Sequence, residues 1–472
     1  MAAIARRHAE YYQKLFQRAE AEWDTSPTAE WLTTYARHID NLRAAVTWAF
    51  SPDGDAAVGG ALVAAAVPLW FELSLVDECL GWIERALAAV DAVPELGERR
   101  TMQLHVALGW LQMYATARVK SSVAAWKTTL ELAERLGDAD YQLRALWALW
   151  SDCMNRVEYR ESLTLASRFS GLAAKARDTA DRLIGDRMTG FSLHFQGDQA
   201  GARACIERML DLYVPPVTRS HTVRFHFDQR VTAHIMLARI LWLQGFPDQA
   251  LRDVASNIEY AVSINHTLSL ANALAQAACP VALLAGDFAA AERHTEMLRR
   301  HTAEHALDVW RAYVDCFAGE LSIRRGNPEG GLPLLRAAVD YLRRAGFVQY
   351  QTAFVLALAP SLAFAGEAAH ALAEVDDTLR RCERTGESWC LPELQRVRGE
   401  ILLLLEAPGS AAASETSLLQ SLGTARAQNV LSWELRAPPV SRAYGRLGGG
   451  RKPAICWVRC TANFPKVSAP PT

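Results

Sequence analysis

GFPDQAL at residues 245–251, GDFAAAE at 286–292, GNPEGGL at 326–332 and GEAAHAL at 366–372 are four copies of one punctuation mark. Their glycines lie 41, 40 and 40 residues apart. Glycine ends a helix in the left-handed conformation that side chains resist. Asp, Asn or Pro then opens the next helix. The small residue four or five positions on lets the two helices of a hairpin approach closely. An earlier copy is Gly197-Asp198-Gln199-Ala200-Gly201-Ala202, and a weak later one is Pro408-Gly409. Weaker versions at Glu158-Tyr159, Arg118-Val119 and Val76-Asp77 continue the period of about 40 towards the N-terminus.

Between these marks lie two segments with apolar residues three and four apart, as in Leu143, Leu146, Trp147 and Trp150. Two helices per unit at such a period mean an α-solenoid. The expected fold is all-α: a right-handed superhelix of about nine tetratricopeptide-like hairpins, each longer than the ~34 residues of the standard repeat. One interval breaks the rule, because Gly197 to Gly245 is 48 residues. The excess falls near VPPVTRSHTVRFHFDQR, 214–230, where Pro215-Pro216 stops a helix. An insertion in a solenoid usually forms a loop on one face.

Composition agrees. Of the 472 residues, 50% are hydrophobic and 22% charged, which fills a large core but is too long for one single-core domain. A net charge of −2 argues against broad nucleic-acid binding. The nine cysteines are scattered. Cys382 with Cys390, and Cys456 with Cys460, lack a second pair or a histidine cluster, so buried reduced thiols are expected rather than zinc. The N-terminus MAAIARRHAEYYQKLF carries charges throughout and is not a signal peptide. The apolar run Ala56 to Phe71 is shorter than the roughly 20 residues of a membrane span and contains Pro68, so it reads as a buried core helix. A cytoplasmic protein is expected, without membrane contact.

ARRHAEYYQKLFQRAEAEW and WLTTYARHIDNLRAAVTWAF, with Asp40-Asn41-Leu42-Arg43-Ala44-Ala45 and Trp48-Ala49, resemble the start of the helical region in bacterial regulators of the STAND class. FHFDQRVTAHIMLARILWLQGFPDQAL, 225–251, and SWELRA, 432–437, resemble the superhelix of the same proteins. Those regulators join a winged-helix or adenylate-cyclase domain to an NB-ARC-type ATPase and a tetratricopeptide-like superhelix. The resemblance covers roughly residues 5 to 437 and implies a sensor or partner arm. Met1 falls where the family's ATPase ends, and no GxxxxGK[ST], kinase glycine loop, GxSxG or HExxH occurs. ATPase, DNA-reading and cyclase functions are therefore not carried over.

The resemblance divides the chain into 1–55, a helical cap; 56–437, the repeat superhelix; and 438–472, an irregular tail. The tail has no helical period and reads as disordered or frame-shifted. Back-translated and read two bases along, Ala437 onward can give the family's ATSLARLW, Gly449 onward GRRPEARDLLGPVHGQF, and Phe464 to Thr472 PEGFGTPDL.

The candidate ligand or partner contacts are Arg219, His221, Arg224, His226, Asp228 and Arg230, interleaved with Phe225 and Phe227. Arginine forks suit a phosphate or an acidic partner. The alternative is a solvated loop with structural ion pairs. Fourteen tryptophans, among them Trp147, Trp150, Trp242, Trp310 and Trp389, suit either a stacking groove or the core of long helices. His301 and His305 share a helix face beside Glu304, with His294 nearby, but no complete metal constellation accompanies them. Pairs such as Glu131 with Arg135 read as surface supports. No nucleophile–base pair or carboxylate dyad is evident, so no cofactor, metal or catalysis is expected.

The sequence leaves three functions open. One is a non-catalytic scaffold binding a protein or peptide on its concave face, with an ATPase module in trans as one such partner. Another is a stand-alone receptor for a signalling peptide or small ligand. The third is a non-functional gene fragment.

Overall fold

The computed structural model describes residues 2–89, 97–114, 119–175, 178–216, 218, 220–305, 307–405 and 407–437. The tail at 438–472, with Cys456, Cys460 and the reading-frame expectation, lies outside the described residues, as does Arg219. Among the described residues every regular element is helical. In order they are α1 (Ala2–Glu22), α2 (Thr28–Tyr35), α3 (Ile39–Ala49), α4 (Ala56–Glu72), α5 (Val76–Ala88), α6 (Gly97–Tyr114), α7 (Val119–Leu136) and α8 (Ala139–Asn155). Then come α9 (Tyr159–Ala173), α10 (Thr179–Phe195), α11 (Gln199–Leu212), α12 (Ser220–Phe225), α13 (Gln229–Leu243), α14 (Pro247–Ser263), α15 (Thr267–Ala273) and α16 (Cys279–Ala285). The last eight are α17 (Phe288–His305), α18 (Asp308–Arg324), α19 (Pro328–Ala345), α20 (Gln351–Phe364), α21 (Ala368–Thr385), α22 (Leu391–Leu405), α23 (Ser410–Ala427) and α24 (Leu431–Arg436).

The turns work as the sequence suggests. Gly197, Gly245, Gly286, Gly326 and Gly366 have φ of +91°, +91°, +78°, +90° and +92°. The next residue's N–H reaches back six residues' span to close the finished helix: Asp198 to the Leu193 carbonyl at 3.0 Å, Asp287 to Ala282 at 3.0 Å, Asn327 to Ser322 at 3.0 Å. The same Asp198, Asp287 and Asn327 then accept through Oδ1 from the N–H three residues on, at 2.9, 2.9 and 3.1 Å. One Gly-Asp or Gly-Asn pair therefore closes one helix and opens the next. Two of the weak copies keep the geometry without glycine, while Arg118 of the third lies outside the described residues. Ser74 and Val157 take φ of +57° and +59°, and Leu75 and Glu158 make the equivalent bonds at 2.9 and 2.8 Å. A left-handed non-glycine costs about 1–2 kcal/mol, so packing holds those two turns against local preference.

The chain divides into two compact units: Met1–Asp152 with Arg168–Asp181 and Val214–His226, and Cys153–Ser167 with Arg182–Tyr213 and Phe227–Thr472. In the first unit, α1 and α3 from the expected 1–55 cap share one core with α4, α5 and α6, built on Phe16, Trp31, Leu42, Leu62, Trp70 and Leu104. Helix α4 is the run Ala56 to Phe71 and is buried from Gly59 to Trp70. Its small residues admit close neighbours; a Cβ on Gly59 would sit 2.9 Å from the Phe50 ring.

In the second unit the two helices of each pair differ. Helices α14, α19 and α21 bury one stripe each, such as Ala250, Val254, Asn257 and Ala261 on α14. Helix α13 buries twelve of its 15 residues and α20 twelve of 14, which leaves them almost no wet face. They are covered on several sides because the first helices of different repeats meet in the interior. The Ser432 hydroxyl donates to the Trp242 carbonyl across 190 residues of sequence. Thr267–Ala285 is a second apolar helix, masked in the sequence by Ser269, Asn272 and Gln276, which interrupt the run. By length and composition it is the one described helix able to cross a bilayer, and 67% of that stretch is buried within the protein.

Candidate functional site

The segment 219–230 is divided between the units. In the first unit His221 is buried, its Nε2 3.5 Å from Asp178. Arg224 places Nε 2.7 Å from Asp140 and Nη1 2.9 Å from Asp181. Phe225 is buried against Trp147 and Phe169. The His226 ring lies 3.6 Å from that of Trp110. In the second unit Asp228 caps α13, accepting from the Val231 N–H at 2.8 Å, and its own N–H donates to Ser269 at 2.8 Å. Phe227 is half-buried. Arg230 is exposed and lies over the Tyr260 ring at 5.3 Å. The charge of Arg224 is thus met by two carboxylates, and Arg230 is the exposed arginine among the described residues of the segment.

The interior of the second unit holds a different arrangement, and it starts from a proline. Pro280 has no N–H and its ring presses on the carbonyl four residues back. That carbonyl belongs to Gln276, and here the helix loosens into a single π turn, Leu274–Ala278, between α15 and α16. The freed Gln276 carbonyl accepts from Arg239 Nη1 at 3.0 Å. Gln276 also accepts through Oε1 from the Tyr350 hydroxyl at 3.1 Å. The Arg239 guanidinium carbon lies 4.6 Å from the Tyr350 ring and 4.7 Å from the Trp389 ring. Arg239 is 4% exposed, and its Nε and Nη2 have no hydrogen-bond acceptor. Burial pulls this guanidinium below its ordinary range.

Arg239 lines a narrow cavity of about 50 Å³ with Glu320, Arg324, Glu393, Arg436 and Trp433. Arg324 pairs with Glu320 at 2.8 Å. Glu393 accepts both Nε and Nη2 of Arg396, at 2.8 and 2.9 Å, and lies 3.4 Å from Arg436. Burial would raise the Glu393 carboxyl, but Arg396 outweighs it and holds the group below the usual range. Arg436 arrives on the short α24, donates to the Leu284 carbonyl at 2.9 Å, and stacks on Trp242 and Trp433 at 5.1 Å each. The cavity walls therefore carry three guanidiniums against two carboxylates. Nearby His194 is pushed down to about 3, first by burial and then by Arg239.

Arg239 and Arg436 sit in the segments 225–251 and 432–437, yet neither arginine stands out there as a site residue. The signals were present: one arginine inside the apolar VTAHIMLARILWL, and a proline inside an apolar helix at 280. Of the tryptophans, Trp147, Trp150, Trp242 and Trp389 are buried and Trp310 is half-buried. Trp389 and Trp433 serve the cavity as well as the core.

Among the described residues, three groups have ligand atoms close enough for a metal ion: His301, Glu304 and His305; Cys153, Glu158 and Glu161; Asp178, Asp181 and His221. Each is already engaged. His301 Nε2 lies 2.8 Å from the Thr267 carbonyl, Glu158 pairs with Arg156 at 2.8 Å, and Asp181 serves Arg224. The seven described cysteines are free thiols, all buried except the half-buried Cys205.

No protein-family model and no curated protein matches the chain. A solved Rap protein complexed with Competence and Sporulation Factor aligns at a TM-score of 0.53 and 13% identity, over 78% of this chain and 99% of that one. The Rap conjugation gene regulator of plasmid pLS20, in complex with the Phr* peptide, aligns at 0.40 and 12%, over 65% and 93%. Yeast Tom70 aligns at 0.36 and 11%, over 93% and 96%. The first of these fixes the fold: this chain is a tetratricopeptide-like helical repeat protein.

Proposed function

We propose that the chain is a non-catalytic repeat scaffold that binds a peptide or protein segment through the interior of its second unit. The observation that carries this is the cavity beside Arg239, where aromatic rings and an unbalanced set of charges converge on a repeat fold. Apolar walls with a few placed polar groups are the make-up of binding sites, and at about 50 Å³ this one is the size of a single anchoring group. The complex of a like-folded Rap protein with Competence and Sporulation Factor supports the same reading.

The resemblance of residues 5–437 to STAND-class superhelices extends it. On that view the chain is the sensor arm of a bacterial cytoplasmic regulator and acts in trans on an NB-ARC-type ATPase module. Arg230, exposed on α13, is an auxiliary contact for an acidic partner surface. The test is equilibrium binding of the purified chain to such a module encoded beside its gene, and to short synthetic peptides of varied charge. Micromolar binding to the module supports the arm. Binding to peptides alone supports a stand-alone receptor. Binding to neither at 100-fold higher concentration overturns the scaffold reading.

A further inference from the structure

The two donors of Arg239 that lack an acceptor, Nε and Nη2, form one edge of the guanidinium fork. Its other side is used by the Gln276 carbonyl, and its faces meet Tyr350 and Trp389. At three other arginines of this chain that same edge holds a carboxylate. Arg43 uses Nε and Nη2 on Glu78 at 2.9 and 2.7 Å, Arg208 on Asp186 at 2.8 and 2.6 Å, and Arg396 on Glu393 at 2.8 and 2.9 Å. Planar two-point pairing is what this edge is shaped for. At Arg239 the walls carry one positive charge more than negative, and about 50 Å³ suits a single carboxylate rather than a whole residue.

We propose that Arg239 is the receptor for one carboxylate of a bound peptide, taken two-point by its Nε and Nη2. This rests on the peptide-binding reading above and names its anchoring chemistry. Both donors are closed to water in this state, so the carboxylate reaches them only as the wall shifts. Trp389 stacks on the same guanidinium and reports the event. The carboxylate can come from an acidic side chain or from a peptide C-terminus.

The experiment titrates the whole chain at constant ionic strength with N-acetyl-glutamate N-methylamide, N-acetyl-glycine and the neutral N-acetyl-glutamine N-methylamide, following tryptophan fluorescence and thermal midpoint. A response to the glutamate probe alone assigns the anchor to a side chain; a response to N-acetyl-glycine alone assigns it to a chain end. Arg239→Met should weaken the response about tenfold, and Arg239→Lys should recover little of it, since lysine keeps the charge but not the fork. Equal response to the glutamine probe, or no response to either acid, overturns the proposal on the wild-type protein alone. An unchanged response in Arg239→Met overturns it as well. Peptides that bind the chain irrespective of charge would leave the scaffold reading standing while removing the anchor.

Discussion

Two inward-facing arginines, Arg224 in the first unit and Arg239 in the second, are held in opposite ways. Arg224, in the first unit, keeps 12% of its side chain exposed and is met by Asp140 and Asp181. Arg239, in the second, is 4% exposed and is met by a carbonyl and two aromatic rings, with no carboxylate partner. Burial lowers both, but the two aspartates raise Arg224 above its ordinary range while Arg239 stays below. A buried charge with its counter-charge is a closed structural joint. A buried charge without one is costly to keep.

The sharpest way to break this comparison is to remove each guanidinium. Arg224→Met leaves Asp181, with 4% of its side chain exposed, facing no cation, and should cost about 3–5 kcal/mol in urea unfolding. Arg239→Met strands no carboxylate and should cost less than about 1 kcal/mol. Equal losses would mean that Arg239 is as structural as Arg224.

Acid sharpens the same contrast. His194 has its folded pKa pushed down to about 3 by burial and by Arg239, below its ordinary 6.5. Below pH 6.5 the unfolded chain takes up a proton that the folded chain refuses, so stability falls with pH until the folded imidazole itself titrates. Between pH 6.5 and 5 the loss from this group is about 2 kcal/mol. His194→Gln should flatten that slope, measured as urea midpoints across pH; an unchanged slope would remove His194 from the account.

The turns give the smallest effects, with opposite signs in the two units. Gly326, in the second, has φ of +90° and open space where a Cβ would sit, so Gly326→Ala should cost about 1 kcal/mol through backbone strain alone. Ser74, in the first, is exposed at φ of +57°, so Ser74→Gly should gain about 1 kcal/mol. Thermal midpoints moving the same way in both variants would show that packing, not dihedral preference, governs these turns.

The repeat was legible because its signals are local. Gly-Asp, Gly-Asn and the spacing of small residues encode turns and hairpins within a few positions, and α4 could be recognised from its run alone. The cavity beside Arg239 was not legible for the converse reason. Arg224 looks like a ligand contact in sequence, since its partners Asp140 and Asp181 come from distant helices. Arg239 looks like one of many arginines, since what distinguishes it is the lack of a carboxylate in three dimensions. The turn at Glu158-Tyr159 gave only a weak signal for a third reason: the β-branched Val157 occupies a conformation that propensity assigns to glycine.

The π turn at Leu274–Ala278 makes two distant positions of the chain depend on one another. Arg239 is tethered by a carbonyl that only a proline four residues on leaves free. Replacement of Pro280 by alanine would let the helix reclaim that carbonyl and leave the guanidinium to its two rings. Across related sequences, arginine at 239 and proline at 280 should therefore be gained and lost together.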